Sequence, residues 1–103
     1  MMIFIAYFFA GVLLVNGLPH FVSGISGQAF PSPFARPPGI GKSSPVINVL
    51  WGSVNFITGY ALLAYNGRFE VGLNLPSVAC LSGGLSIALI LAVHFGRVRS
   101  GKN

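Results

Sequence analysis

Charged side chains are scarce in this chain, and acidic ones are almost absent. Only 7% of its 103 residues are charged, and Glu70 is the single acid. Soluble domains carry about 25% charged residues, so this composition could hardly cover a water-facing surface. One carboxylate also excludes catalysis by paired carboxylates. With 53% hydrophobic residues, the composition indicates that a lipid bilayer surrounds the protein.

Cysteine is also scarce in this chain. Cys80 is the only one, so an intramolecular disulfide is excluded and a thiolate metal site is not expected. We therefore predict no metal ion and no cofactor. The six Lys and Arg residues lie at the ends of apolar segments, where they meet lipid headgroups. For that reason we do not expect nucleic-acid binding.

Three long uncharged stretches organise the sequence. No charged residue precedes Arg36, and none lies between Lys42 and Arg68. The third stretch runs from Glu70 to Arg97. A charge at the centre of a membrane helix costs about 2.5–3.5 kcal/mol, so each stretch is suited to span a bilayer. We predict an all-α membrane protein, a single domain over residues 1–103. Its three transmembrane helices cover about residues 2–18 or 2–23, 45–65 and 75–96.

The end of the first helix has two interpretations. Asn16 and Gly17 are typical of a helix C-terminus, and Pro19 disfavours helical geometry at the residue before it. Alternatively, the helix kinks at Pro19 and continues to about Ser23, which membrane helices tolerate. The segment has no basic n-region and no clear cleavage site, so a retained helix is predicted rather than a signal peptide.

The segment between the first and second helices, residues 24–44, is rich in proline and glycine. These residues exclude a regular helix there. Phe30 and Phe34 flank two prolines, whose fixed φ angles stiffen the backbone, so we predict an ordered loop rather than a flexible linker. Ser44 and Pro45 are typical of an N-cap and a first helical residue.

The distribution of basic residues predicts an orientation. With three spans, the first loop and the C-terminal tail share one side of the membrane. That side carries Arg36, Lys42, Arg97, Arg99 and Lys102, whereas the other side carries only Arg68. The positive-inside rule then places the C-terminus in the cytoplasm and the N-terminus outside.

Small and polar residues recur along one face of the second helix. Asn48, Gly52, Asn55 and Gly59 follow one another at helical spacing. Small residues let helix backbones approach, and asparagine amides hydrogen-bond across the contact. The face is interpreted as a packing surface, with a polar lining for a ligand or an ion as the alternative.

The third helix carries a comparable set of small residues. Gly83 lies four residues after Ala79, and Ser86 lies four after Ser82. We expect the second and third helices to pack closely through Gly52, Gly59, Gly83, Ser82 and Ser86.

His20 is the most distinctive candidate for a functional residue. It follows Asn16 by four residues, so the two share a face if the helix continues through Pro19. An ionisable group near or in a membrane is a functional hypothesis by default, although His20 could equally form a simple cap or loop hydrogen bond. A site shared with His94, on the same side, is a further alternative. The candidate polar cluster comprises Asn16, His20, Asn48, Trp51 and Asn55.

Several short motifs together resemble a known group of proteins. They are NGLPHF from Asn16, FPSPF from Phe30, PPGIG from Pro37, and SP followed by NVLWG from Ser44. This pattern resembles a group of short bacterial inner-membrane proteins of unassigned function. The resemblance covers roughly residues 16–60, and it implies a bacterial inner-membrane location and no particular activity.

These observations lead to three functional hypotheses. The first is a small non-enzymatic membrane protein, an accessory or self-associating subunit whose partners are the bilayer and either further copies or a larger membrane protein. The second is an oligomeric transporter or channel for a small molecule or ion, lined by Asn and His side chains. The third is a membrane enzyme that uses His20.

Overall fold

The fold consists of three helices and one very short strand pair. The computed structural model describes residues 2–66 and 69–101, so Arg68 and Lys102, which entered the charge count, lie outside the described residues. The helices are α1 (Met2–Ile25), α2 (Pro45–Tyr65) and α3 (Leu75–Ser100). The antiparallel strands are β1 (Phe30–Pro31) and β2 (Lys42–Ser43).

All three helices are long and apolar enough to cross a membrane. The described part of the chain is mostly helical, and each of its three helices is a candidate membrane span. On α3, Leu81, Leu85 and Leu89 recur every four residues and are all exposed. Apolar side chains on an outer helix face are favourable only where lipid or another protein covers them.

Local sequence signals account for the start of α2 and both ends of α3. Ser44 Oγ accepts a hydrogen bond from the Ile47 amide at 3.2 Å, and proline follows it at the first helical position. Asn74 Oδ1 accepts from the Ser77 amide at 2.9 Å at the start of α3. Gly101 adopts a φ of 75° after the last turn, a conformation that glycine reaches without strain.

Two helices run further than predicted. The helix α1 continues through Pro19, as the second of the two interpretations predicts, and it ends at Ile25 rather than near residue 23. Pro19 has no N–H to donate to the Val15 carbonyl, but packing against α2 persists beyond it, because Gly24 lies against Val49. The helix α3 ends at Ser100 rather than near residue 96, and its last turn carries two arginines that favour the negative end of the helix dipole.

The helix α1 lies between the other two, which corrects the expected packing. It contacts both α2 and α3 extensively, whereas the described parts of α2 and α3 barely meet. The prediction that the second and third helices pack closely was wrong. Helical spacing shows which residues share a face, but it does not show which helix covers that face.

Glycines make the closest approaches in both helix pairs. Gly11 of α1 faces the Cys80 carbonyl of α3, and Gly83 of α3 faces the Phe8 carbonyl of α1, so closely that a Cβ on either glycine would collide with that carbonyl. In the other pair, a Cβ on Gly17 would lie 2.8 Å from the Gly52 oxygen. Two backbones therefore touch directly at each crossing, as small residues permit in membrane proteins.

The small residues predicted for packing have different locations. Gly52, Gly59 and Gly83 are buried, each against α1. Ser82 and Ser86 are exposed on α3 instead, and the Ser86 hydroxyl donates to the Ser82 carbonyl at 2.7 Å. The two serines therefore lie on the face that α1 leaves uncovered.

The proline-rich loop is held by specific hydrogen bonds. Phe30 pairs with Ser43 and Pro31 with Lys42 in the short ladder, which the all-α prediction did not include. Ser32 is 1% exposed, and its hydroxyl lies 2.6 Å from that of Ser43. The Ser32 carbonyl also accepts from the Gly39 amide at 2.8 Å. Residues 30 and 43 are thus brought together against the ends of the helices.

Candidate functional site

A buried polar pair joins α1 to the start of α2. His20 is 3% exposed and Asn48 is fully buried. His20 Nδ1 lies 2.8 Å from Asn48 Oδ1, a hydrogen-bond distance. Continuation of α1 through Pro19 places His20 here, and Asn48 lies in the first turn of α2.

The other end of the Asn48 amide fixes its orientation. Asn48 Nδ2 donates to the carbonyls of Phe30, Ser43 and Ser44 at 3.0, 3.2 and 3.1 Å. Because nitrogen is the amide's only donor, these three acceptors require Nδ2 on their side and Oδ1 towards His20. Oδ1 only accepts, so His20 Nδ1 carries the proton. Nε2 is then the ring nitrogen left to accept in the neutral imidazole.

Aromatic rings surround the imidazole. The His20 ring contacts Phe30 at a centroid distance of 5.5 Å and Phe95 at 6.2 Å, both nearly edge to face. Phe30 and Phe95 also contact each other at 4.8 Å. These two rings shield the imidazole from water and restrict its rotation. Neither ring was predicted to belong to the site, and the position of Phe30 in the FPSPF motif is the one sequence signal that pointed to it.

A second polar pair lies further along the same helix interface, about one turn away on α1 and two turns away on α2. Asn16 Nδ2 donates to Asn55 Oδ1 at 3.0 Å, and Asn55 Nδ2 donates to the Trp51 carbonyl at 2.9 Å. Asn55 is 1% exposed. Both ends of this amide are therefore engaged within the protein.

Trp51 was expected in the cluster through its side chain, but only its backbone carbonyl takes part. The indole packs edge to face on Phe34 at 5.1 Å. Its Nε1 is buried without a hydrogen-bond partner in the described part of the chain. At helical spacing, Trp51 falls to one side of the Asn48 and Asn55 face, which is why its ring reaches the loop instead.

His94 holds the loop from the other side. Its Nε2 lies 2.7 Å from the Gly39 carbonyl oxygen, and its ring contacts Phe95 at 5.0 Å. The two histidines thus lie at the same end of the bundle, separated by Phe95, and each has its own oxygen partner. Across residues 2–66 and 69–101, no group of three or more His, Cys, Asp or Glu could hold a metal ion.

The two asparagines of the second pair are expected to be energetically coupled. Asn16→Ala and Asn55→Ala should each destabilise the protein, and a double-mutant cycle should give a coupling energy of about 0.6–1.7 kcal/mol. Unfolding in mixed detergent micelles, followed by helical circular dichroism, measures it. Strictly additive effects would contradict a direct hydrogen bond between these amides.

No family model matches the chain, and comparisons with curated proteins and with solved structures found no match.

Proposed function

We propose that this chain is a small non-enzymatic integral membrane protein that acts as an accessory or self-associating subunit of a membrane complex. The observation that carries this proposal is the internal use of its polar side chains. Asn16 and Asn55 bind each other, and Asn48 binds His20 and three loop carbonyls. Groups engaged in this way stabilise the helix assembly instead of remaining available to a substrate or an ion.

The outer face of α3 supports association with another membrane protein. On α2, the exposed Val46, Leu50, Val54 and Ile57 are all large apolar residues, which suits contact with lipid. On α3, the exposed Ser82 and Ser86 provide two small residues four apart, a spacing that permits close helix contact in membranes. The face of α3 that carries these serines is the surface that we assign to self-association.

The arrangement offers less support to the other two hypotheses. A transport path lined by Asn16, His20, Asn48 and Asn55 would need these side chains to face a cavity, whereas they face one another across the α1–α2 interface. An enzyme that uses His20 would need an acid or a nucleophile close to it. Glu70, the only acid, lies in the connection between α2 and α3, at the other end of the helices.

The proposed location is a bacterial inner membrane, with the N-terminus outside and the C-terminus in the cytoplasm. The loop between α1 and α2 and the end of α3 lie together, as the contact of His94 with Gly39 indicates. This end carries Arg36, Lys42, Arg97 and Arg99, which the positive-inside rule assigns to the cytoplasm.

The oligomeric state tests the proposed function. The chain extracted in mild detergent should run as an oligomer or with a stoichiometric membrane-protein partner. Ser86→Phe should reduce that association at least tenfold, because a bulky ring separates the helices, whereas Thr58→Phe on the exposed face of α2 should not. Mass photometry in lipid nanodiscs measures both. A chain that stays monomeric and without a partner would contradict the proposal.

A further inference from the structure

An apolar groove runs between α1 and α3. It has a volume of about 490 Å³ and is lined mainly by hydrocarbon, including Val15, Leu18, Leu91 and Phe95. This volume lies within the range of about 300–1,000 Å³ that is typical of small-molecule sites. The groove is open to the outside of the helices rather than enclosed, so its occupant can enter from the surrounding lipid.

One end of the groove is closed and the other opens at a cationic mouth. At the closed end, Gly84 packs against Val15 and Gly11. At the open end, a second cavity of about 460 Å³ shares Phe30, Phe95 and Arg99 with the groove and adds Gln28 and Lys42.

The mouth carries positive charge with no acidic side chain to balance it. Lys42 and Arg99 both line it. Glu70, the only acidic side chain in the sequence, lies in the connection at the opposite end of the helices. Ammonium and guanidinium groups bind phosphate oxygens, so this mouth is complementary to an anionic headgroup.

The length of the groove matches one leaflet. Its α3 wall runs from Ala88 to Arg99, which corresponds to about 16 Å at a rise of 1.5 Å per residue. Half of a hydrocarbon core of about 30 Å is close to that length. A partner helix would cross both leaflets, but the contact of Gly84 with Val15 and Gly11 closes the groove near the middle of α3.

We propose that this site binds one phospholipid with an anionic headgroup. Its phosphate lies between Lys42 and Arg99, and one acyl chain lies in the groove beside Val15, Leu18 and Leu91. Phe30 and Phe95 separate the headgroup region from the buried His20. With the C-terminus in the cytoplasm, the lipid belongs to the cytoplasmic leaflet, where anionic lipids attract basic residues.

Native mass spectrometry tests the lipid site. The full chain is reconstituted in nanodiscs of equimolar phosphatidylglycerol and phosphatidylcholine, and the lipid retained on release is identified. Phosphatidylglycerol should be preferred about 25-fold, the product of roughly fivefold for each of the two cations. The double variant Lys42→Gln, Arg99→Gln should bring this preference close to one. Arg97→Gln is the matched control, because Arg97 lies on α3 but outside both cavities, and it should leave the preference nearly unchanged.

A second pair of variants tests the groove itself. Leu91→Trp places a bulky ring in the acyl path and should abolish retention of either lipid, whereas Leu89→Trp, on the exposed side of α3, should not. Circular dichroism verifies that both variants keep their helix content. An equal loss of preference in Arg97→Gln, or full lipid retention in a folded Leu91→Trp variant, would overturn the proposal. Displacement of the lipid by inorganic phosphate alone would also overturn it, because the site would then bind a free anion.

Discussion

Replacing Asn48 with alanine should lower the free energy of unfolding by about 3 kcal/mol or more, the largest effect expected for a polar residue here. The substitution removes the only partner shown for His20 Nδ1 and one donor shared by three carbonyls. A buried polar group left without a partner costs about 1–3 kcal/mol. The His20 Nδ1–H and the carbonyls of Phe30 and Ser43 lose the Asn48 amide as a partner, whereas the Ser44 carbonyl keeps the Asn48 backbone N–H. The combined penalty exceeds the small loss of packing at a truncated side chain.

Unfolding in mixed micelles of mild detergent and dodecyl sulfate measures this effect. Circular dichroism follows the helices, and the fluorescence of Trp51, the only tryptophan, follows the docking of the loop through its contact with Phe34. Asn66→Ala is the matched control, because among the described residues the Asn66 side chain makes one hydrogen bond, to the Leu62 carbonyl. If Asn48→Ala and Asn66→Ala unfold at the same denaturant fraction, Asn48 does not hold the loop to the helices.

The second large effect is expected for Gly83→Ala, with a loss of about 1–3 kcal/mol. Alanine is a better helix former than glycine by roughly 0.8–1 kcal/mol, so helix propensity alone predicts stabilisation. The added Cβ, however, meets the Phe8 carbonyl of α1. Backbone cannot move aside as a flexible side chain can, so the collision outweighs the propensity and forces α1 and α3 apart.

Gly96→Ala provides a control of opposite sign on the same helix. A Cβ at Gly96 meets no atom of the described residues within 4 Å, so this variant should gain up to about 1 kcal/mol from helix propensity. The same micelle titration compares the two variants. If Gly83→Ala also gains stability, the backbone of α3 at Gly83 does not touch the Phe8 carbonyl of α1.

Much of the fold could be predicted from local signals. Long uncharged stretches indicate three spans, and Ser44, Pro45 and Asn74 mark the starts of α2 and α3. The central position of α1 could not be predicted, because periodicity identifies a face but not the helix that covers it. The strand pair could not be predicted either, since each strand has only two residues and forms through contacts across the loop.

The candidate site was predictable to a similar extent. Helical spacing placed Asn48 and Asn55 on one face of α2 and related Asn16 to His20 on α1. That these residues pair with one another depends on the rotation of α1 against α2, which the spacing does not define. The contact of Phe95 with His20 joins residues 75 positions apart, and it depends on how α3 packs against α1, which the sequence does not define.

The central position of α1 has a consequence for biosynthesis. Each outer helix binds a different side of α1, and neither requires the other as a partner. The helices α1 and α2 and the loop between them can therefore assemble as soon as residue 65 has left the ribosome. The hydrogen bonds of Asn48 with His20 and of Asn55 with Asn16 can form at that stage. When α3 is added later, it completes the apolar groove between α1 and α3 and brings His94 to the loop. The protein can therefore assemble in two successive steps, and α1 is the helix that both α2 and α3 pack against.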